Sequence, residues 1–248
     1  MSRYGPALLS LIVAGLVWEA VSRLGWVNAV LLPPPSTVLP RLVELVVSGQ
    51  FVEPLTLTLG LLFLGYGVAC LIGVATGAAM AVSSTAFGLL EPLVELMRPI
   101  PKPALVPPLF LFLGPGPVTM VAIVVLAAMF PVLINTLQGI REVDPVLVDT
   151  ARTMRASRAR TLLRVILPAA LPMILGGMRV SLGLGFVLVV LAEMLAGENG
   201  VGFLILDMQR AFQIQDMYAW VILLALVGLG LSSLFELVEL RLVPWRSR

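Results

Sequence analysis

Residues 56–82 carry no charged side chain, and that run is longer than the roughly 20 apolar residues an α-helix needs to cross the hydrocarbon of a bilayer. The pattern recurs. Residues 7–24, 118–137, 169–196 and 217–240 form further apolar stretches, and residues 86–113 form another that prolines interrupt. With 59% hydrophobic and 12% charged residues in 248 positions and a mean hydropathy of +1.05, the chain cannot hide its apolar surface in one soluble core and must be dissolved in lipid. The expectation is an all-α membrane protein of about six transmembrane helices.

The stretches differ in ways that bear on function. Residues 7–24 lie behind Arg3 and read as a retained first helix; Ala20-Val21-Ser22 has the look of a signal cleavage site, but Trp18 and Glu19 suit one poorly. The prolines at 33–35 then break the helix. A short amphipathic segment over 38–47, with Arg41 and Glu44 on its polar side, is expected at the membrane surface. Residues 1–54 are thus an N-terminal helix and surface segment, and 55–248 the core. Gly60, Gly65, Gly67, Gly73 and Gly77 in the second stretch, and Gly176, Gly177, Gly183 and Gly185 in the fifth, suit close helix packing. The single cysteine, Cys70, can form neither an intrachain disulfide nor a metal site alone.

The third stretch is the least regular. Prolines at 99, 101, 103, 107 and 108 interrupt it, and broken backbone at membrane depth is tolerated only inside protein or beside a wet cavity. Glu91, Glu95 and Arg98 share one helical face, either as a stripe lining a transport path or as a salt-bridged cluster near the helix end. Arg179 and Glu193 are the fifth stretch's two charges, about 21 Å apart along a helix and too far to pair directly. Intramembrane charges mark functional positions by default; solvation near an interface is the plainer reading. Glu95, Arg98, Arg179 and Glu193 are the substrate-path candidates. Residues 199–216 read as a polar connection containing Arg210.

One long insert is polar. Asp144-Pro145 is a helix start, with a capping side chain and a proline at the first helical position, and Pro168 reads as the matching stop. Leu147, Val148, Ala151 and Met154 recur at helical spacing, and Leu162, Leu163 and Ile166 do so after a break at Ala156-Ser157. Two short amphipathic helices joined by a turn are expected. Arg141, Arg152, Arg155, Arg158, Arg160 and Arg164 all fall in this loop. Together with Arg3, Arg241, Arg246 and Arg248 they oppose Arg23, Arg41 and Arg210, which puts the loop and both termini on the cytoplasmic side. A basic surface lying on anionic lipid is the alternative use of such a loop.

The insert resembles the cytoplasmic coupling loop of bacterial ABC-importer permeases, whose pattern runs Glu-Ala-Ala, three residues, Gly, nine residues, then Ile, any residue, Leu-Pro. Aligned on Leu167-Pro168, Asp149, Thr150 and Ala151 stand at the Glu-Ala-Ala, Arg155 at the Gly and Val165 at the Ile. Asp149 keeps the charge and Val165 the β-branched apolar side chain. Arg155 lacks the glycine that would make a left-handed turn cheap, so the turn is expected to shift to Ala156-Ser157. The Arg98-Pro-Ile-Pro101 run resembles permeases of the sulfonate, taurine and nitrate type, and the resemblance covers about residues 55–245, including the Ile-Leu-Pro-Ala-Ala-Leu-Pro run at 166–172 and Ala192-Glu-Met194.

The resemblance implies a type I ABC-importer (MetI-like) permease fold, a multi-pass place in the bacterial inner membrane, and transport of a small anion such as a sulfonate, taurine or nitrate. It further implies a homodimer with a second permease copy, two ATP-binding subunits docked on the loop at 141–168, and an extracytoplasmic substrate-binding protein. Asp149, Thr150, Ala151, Met154, Arg155, Ser157 and Pro168 are the implied ATPase-coupling residues, with Ala151 and Met154 seated in a groove of the ATPase. No phosphate-binding Gly-x-x-x-x-Gly-Lys-Ser/Thr loop occurs, the only lysine is Lys102, and there is no histidine. ATP hydrolysis is therefore expected on another subunit, with no cofactor, metal or nucleic acid required here. An ion-gradient-driven secondary transporter is the alternative.

Overall fold

The computed structural model describes residues 5–244, with side chains from Leu9 onward. Arg3, Arg246 and Arg248, which entered the orientation count, lie outside the described residues. The helices are α1 (Gly5–Arg23), α2 (Pro35–Ser48), α3 (Val52–Val82), α4 (Ser84–Met97), α5 (Val106–Leu113), α6 (Pro117–Arg141), α7 (Pro145–Thr153), α8 (Arg158–Thr161), α9 (Leu167–Ala196), α10 (Val201–Arg210) and α11 (Ile214–Leu242). Among the described residues four segments, Val52–Val82, Pro117–Arg141, Arg158–Ala196 and Ile214–Leu242, are each long and apolar enough to cross a membrane.

Small residues decide how the central three helices meet. A Cβ on Gly73 would stand 2.8 Å from the Val132 Cβ, and one on Gly77 would stand 2.6 Å from the Leu133 carbonyl oxygen. Helices α3 and α6 therefore touch along backbone and run parallel. Against them α9 runs antiparallel, with Gly177 at Asn135 and Gly185 at Leu62 and Val124. The Ser181 hydroxyl donates to the Ala128 carbonyl across the same contact. Among the described residues Gly60, Gly67, Gly176 and Gly183 have nothing within 4 Å of an added Cβ, so Gly65, Gly73, Gly77, Gly177 and Gly185 alone of the expected set do this work.

Because α3 and α6 are parallel, the chain between them must return across the bundle. At one end the Arg141 guanidinium stacks 4.0 Å over Phe87 at the start of α4. Midway, Lys102 stands 4.6 Å over Phe130. At the far end Val106 packs with Met120 and Ile123. The proline-rich stretch is thus one crossing made of α4, a 3-10 turn at Lys102–Leu105 and α5; it is broken at the prolines of 99 and 101 as expected, whereas Pro107 and Pro108 stand at the start of α5 and do not interrupt it.

Two expectations change. Pro168 does not stop a helix: α8, a π-helical turn at Leu162–Ile166 and α9 follow one another without interruption. The wider turn accommodates a proline that cannot donate to the preceding turn. The connection expected over 199–216 is mostly α10, whose Val201 and Ile205 are buried with Leu45, Trp220 and Leu223. That cluster also holds α2, which is amphipathic as expected but packs on α10 and α11. Glu19 of α1 accepts from the Ser36 N–H and hydroxyl at 3.0 and 2.8 Å, tying α1 to α2.

Candidate functional site

The two ends of the α3–α6–α9 core carry different chemistry. At the α6–α9 turn, the Asp144 carboxylate accepts from the Val146 N–H at 2.8 Å and Pro145 occupies the first helical position of α7. The helix closes with Arg155 N–H donating to the Arg152 carbonyl at 2.9 Å and Ala156 N–H donating to the Ala151 carbonyl at 3.1 Å. That pair of bonds is a Schellman closure, and it needs a left-handed residue at its corner. Arg155 takes that conformation itself, at φ +55°. The expected shift to Ala156-Ser157 does not occur; Ser157 instead caps α8, its hydroxyl accepting from the Arg160 N–H at 3.4 Å. Two closing bonds and an exposed Arg155 side chain offset a steric cost of about 1 to 2 kcal/mol.

The coupling candidates divide between two sides of α7. Ala151 is buried, 6% exposed, whereas Met154 is 78% exposed, with Val146 and Leu147 also outward. Asp149 pairs with Arg152 at 3.1 Å on the exposed face, and the Thr150 hydroxyl donates back to the Val146 carbonyl at 2.7 Å. Pro168 is exposed beyond the π turn.

At the opposite end Glu193 is fully buried. Its Oε1 accepts from the Thr58 hydroxyl at 2.7 Å and its Oε2 from the Gly202 N–H at 2.8 Å. Thr58 Oγ1 in turn accepts from the Val201 N–H at 3.1 Å. Glu193 thereby caps α10 from another helix, where no local side chain does so, and the helix dipole favours its negative charge. The approach requires glycine: a Cβ on Gly200, which sits at φ +103°, would collide with the Glu193 carboxylate, and one on Gly202 with the Val190 carbonyl. Gly200-x-Gly202 was the available signal in the sequence; nothing local pointed to Thr58.

The other path candidates lie elsewhere. Arg179 pairs across to α11, with Glu236 at 3.3 Å and Glu239 at 3.7 Å, two carboxylates that the sequence reading passed over. Glu95 and Arg98 are exposed and 3.7 Å apart. Beside Arg98, the Lys102 ammonium donates to the Met97 and Arg98 carbonyls, and a cavity of about 320 Å³ is lined by Arg98, Lys102, Phe130, Pro131, Asn135 and Leu184 among others. Sequence reasoning found Arg98 but missed Lys102 and Asn135, which come from separate crossings. The four path candidates do not converge: Glu95 and Arg98 share one face, Arg179 belongs to the α9–α11 contact, and Glu193 lies at the far end, where it lines a separate cavity of about 360 Å³ with Gly60, Gly116 and Asn199 among others.

Comparison with known proteins gives the same family at two levels. Residues 69–248 match the model of the binding-protein-dependent transport system inner membrane component. The putative aliphatic sulfonates transport permease protein SsuC of Bacillus subtilis is 34% identical over 99% of this chain and 90% of its own length. The taurine transport system permease protein TauC of Escherichia coli is 33% identical over 92% and 85%, and the nitrate import permease protein NrtB of Leptolyngbya laminosa 31% over 73% and 64%. Among solved structures, an inward-facing MetNI methionine ABC transporter chain superposes with a TM-score of 0.66 at 18% identity, covering 80% of this chain and 96% of that one; the likeness is one of fold.

Proposed function

The chain belongs to the family of binding-protein-dependent transport system inner membrane components, and from that premise we propose that it carries a small oxyanion, a sulfonate, taurine or nitrate, across the inner membrane as a homodimer. In this family the chain is the transmembrane permease of an ABC importer, a transport subunit, and ATP is hydrolysed on a separate subunit. The ion-gradient alternative falls with that assignment.

The observation that carries the anion reading is the cationic cavity wall formed by exposed Arg98 and half-buried Lys102. Charged side chains inside a membrane face a bundle interior or a water-filled cavity because lipid cannot solvate them. A second copy closing over α4 and α6 would supply that interior. The names of the sulfonate, taurine and nitrate relatives fit a positively charged path.

The ATPase would dock on the α7–α8 corner, with Met154, Val146 and Leu147 as its apolar contacts and the arginines around them. Ala151 would hold α7 against its own chain, so a push on α7 passes through the π turn into α9. Both termini and this corner would be cytoplasmic by the arginine count, and a binding protein would deliver cargo at the Glu193 end. The test is reconstitution of the chain with its ATPase and binding protein in proteoliposomes. ATP-dependent uptake of taurine, an alkanesulfonate or nitrate is expected; uptake that needs an ion gradient and no ATPase would overturn the reading.

A further inference from the structure

Building on the anion-importer reading, we propose that the cavity between the broken third crossing and α6 is an anion-binding station within the permease itself, where Lys102 and Arg98 hold the oxyanion head of an alkanesulfonate-like ligand and Asn135 orients it. The site lies at mid-depth. Lys102 stands over Phe130, which at the usual helical rise is roughly 16 to 20 Å from either end of α6.

Charge makes the site ask for an anion. Among the described residues Lys102 has no carboxylate within ion-pair distance, and Arg98 has only Glu95, at 3.7 Å. An ammonium has three donors. Two of them point at the Met97 and Arg98 carbonyls, where they cap the end of α4, and one is left over. A positive charge at this depth without a counter-charge is costly, and a bound oxyanion relieves that cost through charge-assisted hydrogen bonds.

The donors are also held in place. Lys102 sits between Pro101 and Pro103, which fix the backbone on both sides. The Asn135 amide donates one N–H to the Pro131 carbonyl at 2.8 Å, which leaves the other N–H and the carbonyl oxygen of that side chain unspent. Behind it, α9 approaches so closely at Gly177 that an added Cβ would stand 2.6 Å from the Asn135 Cβ. Ala127, Ile134 and Leu184 complete the wall and suit a short alkyl tail. At about 320 Å³ the space is at the small end of ligand sites. A site with few donors and a neighbouring Glu95 binds loosely, as a transport path requires.

The test uses the fact that Lys102 is the only lysine. The full chain in detergent is acetylated with an amine-reactive ester, and the rate at Lys102 is followed by peptide mass spectrometry in methanesulfonate or in dimethyl sulfone, its uncharged isostere. Methanesulfonate is expected to slow Lys102 acetylation by at least about fivefold relative to the sulfone, with the N-terminal amine unaffected, and Asn135→Leu and Arg98→Gln should each weaken that protection. Equal rates in the two solutes would overturn the proposal, with no variant needed. ATP-driven uptake by the reconstituted wild-type complex separates the two levels. Anion uptake with an unprotected Lys102 refutes the station alone; uptake confined to neutral or cationic cargo refutes the importer reading beneath it.

Discussion

The two ends of α9 are built in opposite ways. At its C-terminal end Glu193 is fully buried and hydrogen-bonded to two other helices, so opening that end means breaking bonds between helices at buried groups. At its N-terminal end the α7–α8 corner is held by backbone bonds and an exposed ion pair, each replaceable by water, and by the small buried contacts of Ala151 and Thr161. The first arrangement makes a rigid anchor; the second makes a handle that another subunit can grip and move. An exposed pair such as Asp149–Arg152 adds well under about 1 kcal/mol, whereas the buried network has no such substitute.

The sharpest way to break this contrast is Glu193→Ala, which removes a fully buried side chain and leaves the Gly202 N–H unpaired at about 1 to 3 kcal/mol, while the Thr58 hydroxyl keeps the Pro54 carbonyl as an acceptor at 3.1 Å. A large drop in the thermal unfolding midpoint in detergent is expected, and an unchanged midpoint would show that the Glu193 end is not the anchor. Gly202→Ala should cost about 1 to 3 kcal/mol by forcing a Cβ onto the Val190 carbonyl, read in the same assay as a smaller shift. At the handle, Arg155→Gly should stabilise the corner by about 1 kcal/mol, since glycine adopts φ +55° freely; slower amide exchange across Ala151–Ala156 would register it. Smallest in stability is Met154→Glu, within about 0.5 kcal/mol because the side chain is already solvated. It should nonetheless reduce co-purification of the ATPase, and full retention would return the corner to the lipid-surface reading.

Much of the handle was legible because its signals are local. Asp144-Pro145, the helical spacing of Leu147, Ala151 and Met154, and the Leu167-Pro168 alignment all lie within one short segment. Where that reading failed, it failed on energy differences too small to read from residue type. A left-handed arginine costs about 1 to 2 kcal/mol, and two well-formed backbone bonds were enough to keep it. Pro168 reads as a stop by propensity, yet a π turn carries the helix past it.

The sequence alone determined the solvent of this protein, the number and order of its apolar stretches, the break in the third and the place of the polar insert, since each follows from the composition of contiguous residues. Only the tertiary structure decided partnership. Thr58 meets Glu193 because glycines let α3, α6 and α9 close to backbone contact; Arg179 meets Glu236 on α11, and Lys102 meets Phe130 and shares a cavity with Asn135, through the further helices packed on that core. Which side chains then share a level depends on the summed packing of all these helices, and no local pattern records that sum.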